Sequence, residues 1–216
     1  MAKKELERRA YSFEVRAEET EAGEKIITGR PIVYGSRTDL GYFDEVIEPG
    51  ALNMTDLTDV RFLVNHDTRM IPLARSRRNN GNSTMKLTPD QIGLNLDFVK
   101  LDIENNTTSR ALYSAVERED ITGMSFMFSV DDEEWENLDS DHPTRHIRAI
   151  SSVVEVSAVT WPAYDATEIN ARSKEALENA KLALENAKRS VEPLENGNEE
   201  LELLKAKTQT LILGGK

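Results

Sequence analysis

Between residues 11 and 160 the apolar side chains come in short runs, and with one exception none of these runs has the three-and-four spacing of a helix. A chain punctuated in this way can bury its core only by pairing short strands. Tyr11, Phe13, Val15 and Ala17 alternate with polar neighbours, as on a strand with one buried face. A second strand runs through Ile26 and Ile27, breaks near Gly29 and Pro31, and resumes at Ile32, Val33 and Tyr34. After Glu48-Pro49-Gly50, residues 51–57 read as a short helix, and Val60 to Val64 return to extended composition. Further strands are expected at 70–75, 83–88 and 93–99, the last two joined by a turn holding Pro89, Asp90 and Gly93. The exception is Thr108 to Asp120, where Leu112, Ala115, Val116 and Glu119 share one helical face. Strands resume at 124–130 and 145–160, and Trp161-Pro162 closes the last because proline cannot donate to a ladder. The pattern predicts a mainly β chain with a few helices, of α+β class. It also predicts an antiparallel β-barrel, closed or nearly so, since closure removes sheet edges. Parallel α/β is disfavoured because strands do not alternate with long helices.

The last fifth of the chain has another character. Ala-Leu-Glu-Asn-Ala-Lys occurs twice, at 176–181 and 183–188, which places Leu177, Ala180, Leu184, Ala187, Val191 and Leu194 on one heptad seam. Pro193 and Gly197 interrupt it, and alanine at every other seam position makes a weak coiled coil. The expected division is therefore a β-barrel domain over residues 1–170 and an acidic, partly flexible helical tail over 171–216. Such a tail suits docking on a partner or self-association, that is, a homo-oligomer.

Composition narrows the function. A net charge of −12 opposes binding to a phosphate backbone, so nucleic acid is not an expected partner. Arg75, Arg77 and Arg78, followed by Asn79-Asn80-Gly81, read as a solvated loop. With no cysteine, disulfides, thiolate metal sites and a cysteine nucleophile are excluded, and a reducing cytoplasmic setting fits. No run approaches the ~18 apolar residues that a membrane span needs, and Met1-Ala2-Lys3-Lys4-Glu5 leads into charge rather than an export signal.

Four places hold candidate chemistry. His66 ends the apolar run Phe62-Leu63-Val64-Asn65, where it is either a structural histidine or a general base presented by a rigid strand. His142 and His146 stand four apart, a metal-sharing distance on a helix, but Pro143 between them makes a helix improbable and solvated loop histidines the simpler reading. Ser125 is the one hydroxyl inside Gly123-Met124-Ser125-Phe126-Met127-Phe128, either hydrogen-bonded to backbone or a nucleophile, the latter favoured by the backbone freedom of Gly123. Glu155, in the apolar run 152–162, either faces outward or holds a partner such as an imidazolium.

Three segments together resemble the tailed-phage prohead protease family: Leu63-Val64-Asn65-His66-Asp67, Gly123-Met124-Ser125-Phe126, and Glu155-Val156-Ser157-Ala158-Val159-Thr160-Trp161-Pro162-Ala163. Val46-Ile47-Glu48-Pro49-Gly50-Ala51 is similar to a further segment of that family, and the resemblance spans about residues 10–170. It implies a β-barrel serine endopeptidase, similar to herpesvirus assemblins, that cuts phage scaffold and major capsid precursors, and often itself, inside the immature prohead in the host cytoplasm. The resemblance implies Ser125 as nucleophile, His66 as base and Glu155 as the third member, where the related viral enzymes use a second histidine. It implies no metal or organic cofactor. Met127 departs from the glycine common in the family. Oxyanion donors from the backbone near Arg148 or Gly123 are compatible with position alone. The alternative is a catalytically silent scaffold or capsid-assembly protein with the same fold.

Overall fold

The computed structural model describes residues 6–11, 15–160 and 174–191. In chain order its elements are β1 (Glu7–Tyr11), β2 (Val15–Glu19), β3 (Lys25–Val33), β4 (Arg37–Asp39), β5 (Asp44–Ile47), β6 (Arg61–Val64), β7 (Ala74–Arg75), β8 (Met85–Pro89), β9 (Gly93–Lys100), α1 (Thr107–Glu117), β10 (Gly123–Glu136), β11 (Thr144–Val159) and α2 (Lys174–Val191). The strands form a seven-stranded sheet in the order β1-β10-β11-β5-β4, with β6 on β11 and β7 on β6, and a four-stranded sheet in the order β2-β3-β9-β8. The described chain is thus mainly β with two helices, consistent with α+β.

Among the described residues the two sheets are not closed into one barrel, and their pairing is not purely antiparallel. One edge of β11 takes β5 along Thr144–Ile147 and then β6 along Glu155–Ala158, both parallel to it. Side-chain alternation tells which face of a strand is buried but not which way its neighbour runs, so this feature left no trace in the periodicity. Between the sheets lies one apolar core that includes Ile27, Ile32, Phe62, Leu94, Phe126 and Val156.

Several local expectations change. Residues 51–54 form successive turns, with Ala51, Asn53 and Thr55 N–H groups donating to the carbonyls of Glu48, Gly50 and Leu52, and no helix follows. Gly29 and Pro31 do not end a strand; β3 runs through them, with shifts of register against β9. The expected strand at 70–75 shrinks to β7, while β4 and β5 are additions. The β8–β9 turn lies where Asp90 and Gly93 predict it. The Asp90 carboxylate accepts N–H groups from Ile92 and Gly93 at 2.8 and 2.9 Å and pairs with Arg30 of β3, which together hold its carboxyl down at about 2. Gly93 has φ +155°, and a Cβ there would stand 2.0 Å from the Ile32 carbonyl oxygen, so the close approach of β9 to β3 requires glycine.

Helix α1 starts at Asn106, whose side chain accepts the N–H groups of Thr108 and Ser109, and it buries Leu112, Tyr113 and Val116. Glu119, expected on that face, instead has φ 61° just past the helix end. Helix α2 lies against β1: Ala180 and Ala187 are buried, Leu184 is half-buried and Val191 is exposed. The heptad seam is therefore at least partly satisfied within the chain. Trp161-Pro162, the boundary near residue 170, and the tail from 192 to 216 with its Pro193, Leu194 and Gly197 lie outside the described residues, as does the Leu177 side chain.

Candidate active site

Ser125, Glu155 and Ser157 are placed by the β10–β11 ladder. Ser125 stands directly opposite Ser157, and Glu155, two positions before Ser157, opposes Met127, so by the period of two all three share one face. His66 reaches this face from β6. The parallel ladder pairs Leu63 with Ser157 and Val64 with Ala158, and the Asn65 N–H continues it by donating to the Ala158 carbonyl at 3.0 Å. Asn65 and His66 then both turn left-handed, with φ 52° and 56°, which carries the imidazole back over β11. Two such residues in succession cost free energy. Asn65 offsets part of it, since its Oδ1 accepts the Thr160 N–H at 3.0 Å and the Thr160 hydroxyl at 3.1 Å.

The imidazole lies between a hydroxyl and a carboxylate. His66 Nε2 contacts Ser125 Oγ within hydrogen-bond distance, and Nδ1 is 2.6 Å from Glu155 Oε2. Glu155 is nearly sealed from solvent, whereas the His66 side chain keeps 15% exposure. The Ser157 hydroxyl donates to Glu155 Oε1, and its oxygen accepts the His66 main-chain N–H at 3.0 Å. Ser157 therefore ties the backbone of the histidine to the carboxylate that faces its ring. Ser125 is fully buried, and its hydroxyl also lies 2.6 Å from the Arg9 carbonyl oxygen, as donor.

A second buried polar cluster occupies the other half of the same hairpin. Arg9 Nε and Nη2 donate to the two oxygens of Glu45 at 2.5 and 2.7 Å, and Nη2 also donates to Glu7 at 2.6 Å. Arg145 donates to Glu7 at 2.7 and 2.8 Å, to Glu45 at 3.0 Å and to Glu133 at 2.9 Å. Burial alone would push the Glu7 carboxyl up, but Arg9 and Arg145 outweigh it and hold it at about 2. Burial likewise works against the charge on Arg9, yet Glu45 and Glu7 keep it protonated more firmly than an ordinary arginine. Asn179, Ala183 and Asn186 of α2 line a small pocket with Leu6, Glu7, Glu133 and Arg145, so the helix covers this network.

The structure brings together Ser125, His66 and Glu155 of the sequence candidates and leaves the others apart. His142 pairs with Asp44 at 3.2 Å, and His146, within β11 rather than in a loop, faces Glu48 at 2.7 Å, so the two do not converge. Arg75, expected in a loop, lies in β7 and is held by Asp59 at 2.6 and 3.0 Å, while Arg77 and Arg78 are exposed as expected but in a short 3-10 turn. Gly123 has no left-handed φ; the unusual dihedrals belong to Asn65 and His66. Arg148 precedes Glu155 by seven residues on β11, roughly 20 Å at strand spacing, and its side chain pairs with Glu134, so its amide does not border Ser125. Sequence reasoning missed Ser157, Asn65 and the arginine–glutamate network. Ser157 stood inside the most specific motif, and its period-two relation to Glu155 was the signal that pointed to it.

A hydroxyl, an imidazole and a carboxylate in one hydrogen-bonded line on a β-rich frame describe the class of serine peptidases. The model of one protein family, the caudovirus prohead serine proteases, matches residues 11–182, from the end of β1 into the first half of α2. The chain belongs to that family, a serine protease family of phage capsid maturation, which implies association with the prohead and capsid-related substrates. No curated protein and no solved structure matches the chain. No helix among the described residues is long and apolar enough to cross a membrane.

Proposed function

We propose that the chain is an endopeptidase that cuts scaffold and major capsid precursors, and its own tail, inside the immature prohead in the host cytoplasm. The observation that carries this reading is the imidazole of His66 held between Ser125 Oγ and the Glu155 carboxylate. With Nδ1–H donating to Glu155, Nε2 is left as an acceptor; it takes the Ser125 proton as Oγ attacks the peptide carbonyl and returns it to the leaving amine. Glu155 is a positioning residue, which fixes the tautomer and stabilises the imidazolium that forms. Water then attacks the acyl-enzyme by the same route in reverse, and no metal or organic cofactor enters any step. The working division is a protease body over residues 1–170 and an acidic tail over 171–216 that recruits the enzyme to scaffold or shell, with self-association through the helix and neither nucleic acid nor membrane as partner.

Co-expression with the capsid precursor, followed by intact-mass measurement of both products, tests the assignment. Wild type should shorten the precursor and lose part of its own tail, while Ser125→Ala leaves both whole. A precursor cut equally by Ser125→Ala removes the serine from the mechanism. A tail clipped in both forms assigns that cut to a host protease.

A further inference from the structure

Ser125 is fully buried, and both edges of β10 are occupied around it. On one side Ser125 pairs with Ser157 of β11, and on the other it pairs with Ala10 of β1. The hydroxyl has one proton and two acceptors in reach, His66 Nε2 and the Arg9 carbonyl. When the proton goes to Arg9, it is turned away from Nε2, the atom that has to take it. Strand β1 in place therefore both covers the nucleophile and draws its proton the wrong way.

We infer that β1 occupies the substrate's place: an extended peptide pairs antiparallel with β10 over Met124–Phe128 where β1 now lies, sets an arginine or lysine in the position of Arg9, and is cut only after β1 has been displaced. This rests on the reading of Ser125 as nucleophile. Addition of a strand to a sheet edge is a general mode of peptide recognition, in which backbone bonds supply affinity and side-chain slots supply selection. Here the carbonyl nearest the nucleophile belongs to Arg9, whose oxygen accepts from Oγ at 2.6 Å; a substrate in the same register has to turn this carbonyl so that its carbon, not its oxygen, meets Oγ. The slot beside it is built for a cation. Arg9 is only 2% exposed, its guanidinium lies 5.6 Å from the centre of the Phe128 ring, and Glu45, which receives it, is fully buried on β5. If β1 leaves, Arg9 and Glu7 leave with it. The body then retains the positive Arg145 against the negative Glu45 and Glu133, the same net charge of −1 that the cluster carries with β1 in place, and Glu45 loses the guanidinium that an incoming basic side chain replaces. The strand is five residues long, its one sheet partner among the described residues is β10, and four of its residues precede the stretch matched to the family.

The absence of cysteine allows a reversible test. Arg8 and Met127 are direct cross-strand partners, so Arg8→Cys with Met127→Cys can pin β1 to β10 in the full chain. A fluorophosphonate probe reports the reactivity of Ser125. Labelling is expected to slow at least tenfold on oxidation and recover on reduction, and Arg9→Ala should label several-fold faster than wild type. A synthetic peptide copying residues 6–14 should protect Arg9→Ala from the probe, while the same peptide with glutamate in place of the second arginine should not. Equal labelling of wild type and Arg9→Ala, or of oxidised and reduced forms, overturns the inference while Ser125 stands as nucleophile. Equal protection by both peptides overturns the basic selectivity. If the cysteine pair does not oxidise, the Arg9→Ala comparison decides alone. Absence of Ser125 labelling in every form, with the fold intact by circular dichroism, overturns the proposed function and this inference with it.

Discussion

The β10–β11 hairpin carries two buried polar clusters, and they are built in opposite ways. Around Ser125 each group has few partners, and the central imidazole keeps contact with solvent. Around Arg145, two arginines and three glutamates from four strands bond one another several times over. Deleting one partner from a crowded buried network strands the remaining charges, so such a network resists change. A sparsely bonded line lets a proton move along it. On the proposed mechanism, the contrast separates what the fold holds fixed from what the chemistry needs to shift.

The sharpest way to break this contrast is to show that the sparse line is structural. Ser125→Ala should lower peptide hydrolysis by on the order of 10⁴-fold or more while leaving the melting temperature within a few degrees of wild type. Glu155→Gln should cost on the order of a thousandfold in kcat with little change in KM, because the wrong tautomer of His66 is then favoured. A silent Glu155→Gln paired with an inactive His142→Ala or His146→Ala would transfer the third role to a histidine. For the crowded cluster the expected loss is in stability. Glu45→Ala, which leaves Arg9 and Arg145 short of an acceptor, should lower the unfolding free energy by about 3 kcal/mol in denaturant titration, and an unchanged midpoint would mean that the network is not a framework. Ser157→Ala should reduce kcat by about tenfold, the worth of a hydrogen bond to a charged group, through loosened placement of Glu155 and His66.

Smallest is a pH effect. The Glu7 carboxyl is lowered in the fold from 4.5 to about 2, so its contribution is complete above about pH 4.5 and is lost as the pH falls toward 2. Hydrogen exchange corrected for intrinsic rates should therefore show the β1 amides losing protection across that window ahead of those of β10. Simultaneous loss in both strands would mean that β1 is no weaker than the body.

Much of this frame can be read directly from the chain. Apolar and branched runs place β3, β6, β8, β9, β10 and β11, whereas the alternation of Tyr11 to Ala17, expected as one strand, falls on the end of β1 and the start of β2 in different sheets, with 12–14 outside the described residues. Ser125, His66 and Glu155 follow from motif resemblance. What escapes has a common physical cause: it depends on pairing rather than on local pattern. Asp44-Glu45-Val46-Ile47 looks half polar because Glu45, buried beside Arg9 and Arg145, is charged but satisfied. The left-handed pair Asn65-His66 needs Thr160 to hold it, a residue 95 positions away. Residues 51–57 have helical composition, yet Thr55 Oγ1 donates to the Ile150 carbonyl at 2.7 Å and Asp56 N–H donates to Ser151, so β11 claims the segment as turns.

The parallel docking of β5 and β6 on β11 also sets a clock. Thr144 pairs with Asp44 and Glu155 with Arg61, contacts that span 100 and 94 positions of sequence. Contacts of that range form late and slowly, because a long loop must close before any of them is rewarded. On the ribosome the strand carrying Glu155 and Ser157 is the last of the described strands to emerge, so His66 and Ser125 are made before it can hold them together. On the assignment proposed above, the protein stays inert while it is being synthesised, and its first chance to cut comes only once β11 has joined the sheet.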